Sequence, residues 1–228
     1  MRLRVVVYNV RGFRDGSERL ARLVGRFRPD LLLLNETGGR WRLRRFAETL
    51  EMDVAGDPWS PFRRRVKDAM LVRPPWRLVE HRQHRFDGGP WLYPRGALVA
   101  KIEHGGARLS AVSTHLGLRP RERLAHARAL SVLVDDLDTP IVVGGDLNER
   151  PDGRAVARLS GRFRDAWLLG GDADGETFPA HEPTARIDYL FVSEAIAVER
   201  VLVPPGPDAR SASDHRPLVA ELTLPPPG

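Results

Sequence analysis

Residues 140–150 read PIVVGGDLNER. Ile141-Val142-Val143 is a short apolar run of the kind that forms a buried strand, and it passes through two glycines into Asp146 and Asn148. Gly, Asp and Asn are the usual turn residues, because they accept positive φ or bond their own backbone, so a turn is the plain reading. A chemical reading stands beside it. Residues two apart on an extended chain point to one side, so a carboxylate and an amide would face the same space just past a strand end. The rest of the chain decides between the two.

The pattern recurs. Val5–Tyr8 leads to Asn9, Leu31–Leu34 to Asn35 and Glu36, and Leu109–Ser113 to His115. Ile187 is followed at once by Asp188, and SDHRPLVAEL puts Asp214 and His215 just before a last apolar run. Each has a structural explanation when taken alone: Asn9 as a turn toward Gly12, Glu36 as a cap, His115 as a satisfied core histidine, Asp188 as a partner of Arg186, Asp214 as a turn before Pro217. Together they are harder to dismiss. Burying several ionised carboxylates costs several kcal/mol each unless cations compensate, and strand ends around a sheet can converge on one crevice. If they converge, a divalent metal is the natural compensation. Glu, Asp and Asn are hard oxygen donors that suit Mg²⁺ or Mn²⁺, which leaves the two histidines as acid–base groups rather than ligands. His81 and His84 have a metal-like spacing, but around a strand end their rings fall on opposite faces, and they read as solvated. His104, His126 and His181 read as surface positions.

Further strand-like runs are Ala69–Val72, Ala97–Ile102, Ile187–Val192, Val198–Val203 and Leu218–Leu222. Helices are expected at Ser17–Phe27, where Leu20, Leu23, Val24 and Phe27 share a face, at Trp41–Leu50, at Arg121–Leu137 behind Pro120, and at Ala155–Leu159. The order is mixed, βαβα then consecutive strands, then βα and strands again, which argues for sheets covered by helices. Loops rich in Pro, Gly and Arg at 56–66, 84–95 and 204–215 are not domain linkers. One domain is expected over residues 1–224, with 225–228 a frayed end.

Composition narrows the classes. The chain has 228 residues, 42% hydrophobic and 29% charged, enough to bury a substantial core. No apolar run has the length of a membrane span. MRLRVVVYNVRGF enters a strand without a signal-type apolar region, so a cytoplasmic protein is expected. With no cysteine, disulfides, thiolate chemistry and Cys-based zinc sites are excluded. A net charge of +6 and a pI near 10.5 suit a polyanionic partner, nucleic acid or an anionic membrane surface. The only lysines are Lys67 and Lys101, however, and the abundant Arg, Ala, Gly and Pro also look like the coding bias of a GC-rich genome.

The segments NVRGF, LLNE, STHLG, GGDLNE, RIDYLFVS and SDHRPLVAEL occur in this order between Val5 and Leu222. Together they resemble the endonuclease/exonuclease/phosphatase superfamily, the DNase I-like and exonuclease III-like hydrolases. The resemblance implies an α/β fold, a four-layered αββα sandwich of two mainly antiparallel sheets with helices outside. It implies that Glu36 is the principal metal ligand, with Asn9 beside it and Asp214 contributing. His215 would be the catalytic histidine at the scissile phosphate, oriented by Asp188. Asp146 would align and deprotonate the attacking water, and Asn148 would donate to phosphate oxygens. His115 resembles the second histidine of DNase I-like and sphingomyelinase-like members.

Departures bear on the substrate. NVRGFR resembles the start of the abasic-site endonucleases, but His115 stands where those enzymes usually have tyrosine. The chain is short for the family, which puts substrate-specifying insertions in question. The loop PWLYPRG, 90–96, would stack on bases, line an apolar slot or form a structural lid. Arg119, Arg186 and Arg216 adjoin motif residues and are candidate phosphate contacts, Arg186 and Arg119 foremost. The expectation is a Mg²⁺- or Mn²⁺-dependent phosphodiesterase, monomeric, acting on nucleic acid. A lipid or small-molecule phosphoester is the alternative substrate, and a non-catalytic nucleic-acid-binding module the alternative class.

Overall fold

A computed structural model describes residues 1–56, 66–88, 93–137, 140–172 and 175–226. Trp91 and the run Arg63-Arg64-Arg65 lie outside the described residues. In chain order the elements are β1 (Arg2–Asn9), α1 (Ser17–Gly25), β2 (Leu31–Asn35), α2 (Arg40–Leu50), β3 (Asp53–Ala55), β4 (Ala69–Val72), β5 (Arg77–Arg85), β6 (Gly96–His104) and β7 (Ala107–His115). Then come α3 (Pro120–Asp135), β8 (Ile141–Asp146), α4 (Arg154–Ser160), β9 (Arg164–Asp165), α5 (Ala166–Gly170), β10 (Asp188–Val192), β11 (Ala197–Leu202), α6 (Pro207–Ser211) and β12 (Leu218–Thr223).

The strands form two sheets of the same plan, ordered β11-β12-β1-β2-β4-β3 and β5-β6-β7-β8-β10-β9. Each is antiparallel except for one central parallel pair, β1 with β2 and β7 with β8. A parallel neighbour requires a crossover, and α1 and α3 supply the two. The apolar runs explain the layering. Side chains alternate along a strand, so Val5, Val7, Leu31 and Leu33 enter the core between the sheets, while Val6, Tyr8, Leu32 and Leu34 pack under α1 and α2. In the second sheet Val142 faces inward, and Ile141 and Val143 pack with Leu130 and Val134 of α3 and Leu159 of α4. Strands covered on both faces read as continuous apolar runs, as VVVY and LLLL do. The result is the expected four-layered sandwich.

Three strands have no strong signal in the sequence. β5 is a charged, mostly exposed edge strand, RLVEHRQHR, and charge on an edge blocks further pairing. β3 and β9 are very short. His81 and His84 lie within β5, not at a strand end. His126 is buried, not a surface residue: its Nδ1 accepts from the Gly117 N–H at 3.2 Å, and Phe86 packs against its ring. His104 is half-buried against Trp76.

Candidate active site

The parallel pairs place their carboxyl ends at one edge of the sandwich. Asn9 lies opposite Asn35 in the β1–β2 register, His115 opposite Asp146 in β7–β8, and Asp188 opposite Asp146 in β8–β10. The two sheets are joined here by polar side chains. Asn9 Nδ2 donates to Asp146 Oδ2 at 3.0 Å, the Asp146 main-chain N–H donates to Asn35 Oδ1 at 2.9 Å, and Asn35 Nδ2 donates to the Thr114 carbonyl at 3.0 Å. The glycines before Asp146 permit this. A Cβ on Gly144 would meet Leu33 and Val7 of the facing sheet at 2.7 and 2.8 Å, and one on Gly145 would strike the Thr114 carbonyl oxygen at 1.8 Å. The GGD of β8 is therefore strand, not turn, and the turn begins at Asn148, whose φ is 52°.

Asp146 is the hub. Besides Asn9, its carboxylate accepts from the Asn148 main-chain N–H at 2.8 Å, and its Oδ2 lies 3.2 Å from His115 Nε2 and 3.7 Å from His215 Nε2. Burial pushes this carboxyl up. The electrostatic attraction of His115, then its hydrogen bond, the charge of His215 and the Asn148 N–H outweigh burial and hold it well below the usual carboxylate range. His215 Nδ1 donates to Asp188 Oδ2 at 2.8 Å, and Thr177 Oγ1 donates to the same oxygen at 2.6 Å. Burial lowers the His215 imidazole, but Asp188 foremost, then Asp146 and Asp214, raise it to about 10. The ring is thus an imidazolium at neutral pH, oriented by Asp188 with Nε2 toward Asp146.

A cleft of about 330 Å³ opens over this cluster. Glu36, Asp68, His115, Asp146, Asn148 and His215 line it, together with the cations Arg11, Arg14, Lys67 and Arg95. Glu36 follows β2 with φ at 55°, a backbone outlier of the kind that marks functional sites. Its carboxylate has no hydrogen-bond or ion-pair partner among the described residues. Asn9 Oδ1 accepts from the Arg11 N–H, and Asp214 Oδ2 pairs with Arg11 Nε at 3.2 Å. Among the described residues, the buried carboxylate oxygens Asp68 Oδ2 and Asp188 Oδ1 have no hydrogen-bond partner. Asp146, Asp188 and His215 present ligand-type atoms within 4.8 Å of one another, though these residues are already hydrogen-bonded among themselves.

None of the three arginines singled out from the sequence lines the cleft. Arg186 is buried, pairs with Asp165 Oδ2 at 2.7 Å and lies over the Tyr189 ring. Arg119 is exposed at the start of α3, where its main-chain N–H donates to Glu122. Arg216 Nε donates to the Ala180 carbonyl. Asn35, Asp68, Arg95 and Thr177 join the site without having been picked as site residues. Only Asn35 had a signal, as a strand-end amide beside Glu36. Tyr93 of the aromatic loop lines the cleft, 76% exposed.

The sequence matches the endonuclease/exonuclease/phosphatase family over residues 6–215. Comparison with curated protein sequences returns no match. Among solved structures, an endonuclease/exonuclease/phosphatase from Bacteroides vulgatus superposes with a TM-score of 0.85 at 19% identity, covering 98% of this chain and 99% of that one. A mannosyl-6-phosphatase from Bacteroides thetaiotaomicron gives 0.82 at 21% identity, covering 97% and 100%. TDP2 from D. rerio, complexed with a single-strand DNA product, gives 0.79 at 16% identity, covering 98% and 99%.

Proposed function

Because the chain belongs to the endonuclease/exonuclease/phosphatase family, whose members are phosphoester hydrolases, we propose that it is a divalent-metal-dependent phosphodiesterase acting on nucleic acid. The observation that carries this reading is the convergence of Asp146, Asn148, His115 and His215 with the uncommitted carboxylate of Glu36 in one cation-lined cleft.

The residues fit a hard divalent cation. Glu36 offers free carboxylate oxygens at the cleft, with Asn9 and Asp214 as the further oxygen donors, a set suited to Mg²⁺ or Mn²⁺. When bound, the cation supplies positive charge at the phosphate as it gains negative charge. The protein's own residues do the rest. Asp146, ionised and fixed by its donors, aligns a water and takes its proton as the oxygen attacks phosphorus. The bond from phosphorus to the leaving oxygen breaks. The imidazolium Nε2–H of His215 and the amide of Asn148 donate to the phosphate oxygens. Asp188 holds His215 in the tautomer that presents Nε2.

Nucleic acid as substrate is supported by the four cations around the cleft, the basic balance of the chain and the likeness to TDP2 bound to DNA. A small-molecule phosphoester is the second reading, favoured by the likeness to a mannosyl-6-phosphatase. The test is cleavage of supercoiled plasmid and of a labelled single-stranded oligonucleotide with Mg²⁺ or Mn²⁺, against EDTA. Phospholipid vesicles and sugar phosphates are assayed in parallel. Metal-dependent cleavage of DNA is expected. Turnover of only the lipid or sugar ester would replace the substrate, and no turnover of any by folded protein would overturn the reading.

A further inference from the structure

The cleft has a small apolar lining, Tyr93, Pro94 and Leu118, set among charged and polar groups. Tyr93 is 76% exposed and Leu118 68%. A single exposed leucine is ordinary on a protein surface. Two large apolar side chains held out to water at one cleft are not, and the sheet brings them there together. Every β6–β7 pair from Gly96–His115 to His104–Ala107 keeps the same offset. Tyr93 and Leu118 lie three residues beyond the first of these pairs, one ahead of Gly96 and the other after His115. Both therefore leave the same end of the same strand pair. Leu118 stands on a tied loop. The Leu116 N–H donates to the Asp146 carbonyl at 3.0 Å, the Leu116 carbonyl accepts from Asn148 Nδ2 at 3.1 Å, and the Gly117 N–H donates to His126 Nδ1 at 3.2 Å. The Leu118 carbonyl accepts from Arg123, whose Nε donates to Glu149 at 2.9 Å. The Tyr93 ring has the Lys67 ammonium 5.9 Å from its centre, within cation–π range.

We propose that Tyr93 and Leu118 are specificity-determining residues: they form an apolar wall that takes the face of the nucleobase next to the scissile phosphate, so that the cleft selects a base-bearing phosphodiester over a sugar phosphate. The chemistry of the wall picks out this group. A base is flat and apolar on its faces, and it stacks on an aromatic ring whatever its sequence identity. Leu118 and Pro94 offer dispersion contact and no hydrogen bond, whereas the hydroxyls of a sugar would lose water there without gaining partners. An acyl chain would be buried on this wall only beside Lys67 and Arg95, which line the same cleft. For a nucleotide those two cations are an asset, since its phosphates lie next to its base. The ties on residues 116–118 matter because a wall that is already fixed costs little ordering when the ligand arrives. They also give buried His126 a role: its ring holds the Gly117 N–H and so the approach to Leu118.

This inference rests on the nucleic-acid reading of the cleft, but its test needs no turnover. Fluorescence anisotropy on the full chain, in EDTA, compares two labelled chains of equal length and charge: single-stranded oligothymidylate, and the same phosphate chain with tetrahydrofuran in place of each nucleoside. The expected result is tighter binding of oligothymidylate by about 5- to 150-fold, the worth of one base stacked on an aromatic side chain. Tyr93→Ala should remove most of that preference and Leu118→Asn part of it. Both should leave affinity for the base-free chain unchanged, and Tyr93→Phe should keep the wild-type preference. Equal affinity of wild type for the two chains, or binding of neither, overturns the proposal. So does a preference that survives both Tyr93→Ala and Leu118→Asn, or a loss of affinity for both chains alike. Binding to phosphatidylcholine vesicles that both variants abolish, with no preference between the two chains, would give the wall to an acyl chain and overturn it as well. Both side chains are exposed, and should Tyr93→Ala fail to fold, Leu118→Asn and Tyr93→Phe decide. The function can fail separately: a base preference with no hydrolysis of any phosphoester would refute the phosphodiesterase and leave the wall standing, whereas cleavage of both chains at equal kcat/KM would do the reverse.

Discussion

Asn35 and Asp146 belong to different sheets, yet the Asp146 main-chain N–H donates to Asn35 Oδ1 at 2.9 Å while Asn35 Nδ2 holds both the Thr114 carbonyl and Asp68 Oδ1. The amide therefore locks the cleft end of one sheet to the other. Asn35→Ala removes all three bonds in a fully buried position. Misplacement of a catalytic group by about 1 Å costs on the order of 10²-fold. The expected outcome is a kcat lower by about that factor with KM little changed, read from steady-state kinetics on whichever phosphoester is turned over.

His215 gives a pH dependence of defined sign. Its folded value, about 10, lies above the unfolded value of about 6.5. The stabilisation from the His215–Asp188 pair is therefore fully present below about pH 6.5 and lost as pH rises through about 10. Melting curves of the metal-free protein across this window should show the loss. Asp188→Asn should flatten it and, by releasing the His215 tautomer, lower kcat by roughly 10³–10⁴-fold.

Asp68 has the same sign in a lower window. Burial, offset in part by His115, Asn35 and Arg95, pushes its carboxyl up to about 7. The folded protein binds this proton more tightly than the unfolded chain does, so stability declines as pH rises from about 4 to about 7. Asp68→Asn preserves an acceptor for Asn35 and removes the buried charge. It should melt higher than wild type at pH 8 without metal, by at most about 4 kcal/mol in unfolding free energy, and no higher at pH 4. Denaturant titrations at the two pH values check this.

Arg186 is spent on stability. It and Asp165 are 5% exposed each and joined at 2.7 Å, and breaking a buried pair by removing one partner costs about 3–5 kcal/mol. Arg186→Met should lower stability by that order and leave KM for the substrate unchanged in the fraction that remains folded. A large rise in KM at constant stability would return Arg186 to the substrate.

The fold was legible because both sheets bury their central strands on two faces, so VVVY, LLLL and IVV stand out as apolar runs ending in Asn, Glu or Asp. β5 was not legible, since an exposed edge strand needs no apolar face and RLVEHRQHR shows none. The strand-end residues of the site could be picked out one by one because their polarity interrupts an apolar run. Arg95, Asp68 and Arg186 could not be sorted that way. One arginine in an arginine-rich chain carries no mark of whether its partner is an imidazole of the cleft, a buried carboxylate or solvent, and that is decided by contacts between segments far apart in sequence. His126 was misread for the same reason: its partners, Gly117 and the Asp87 carbonyl, come from loops that fold over α3.

The central claim is that Asp146 drives metal-dependent hydrolysis of a phosphodiester in this cleft. The most direct measurement is DNA cleavage by wild-type and Asp146→Asn proteins of equal melting behaviour, each with Mg²⁺ or Mn²⁺ and with EDTA. The account predicts cleavage by wild type only with metal, and a loss of roughly 10²–10⁴-fold, the usual worth of a positioned proton acceptor, in the variant. Metal-dependent cleavage that survives intact in Asp146→Asn, or no cleavage by folded wild-type protein, would contradict it.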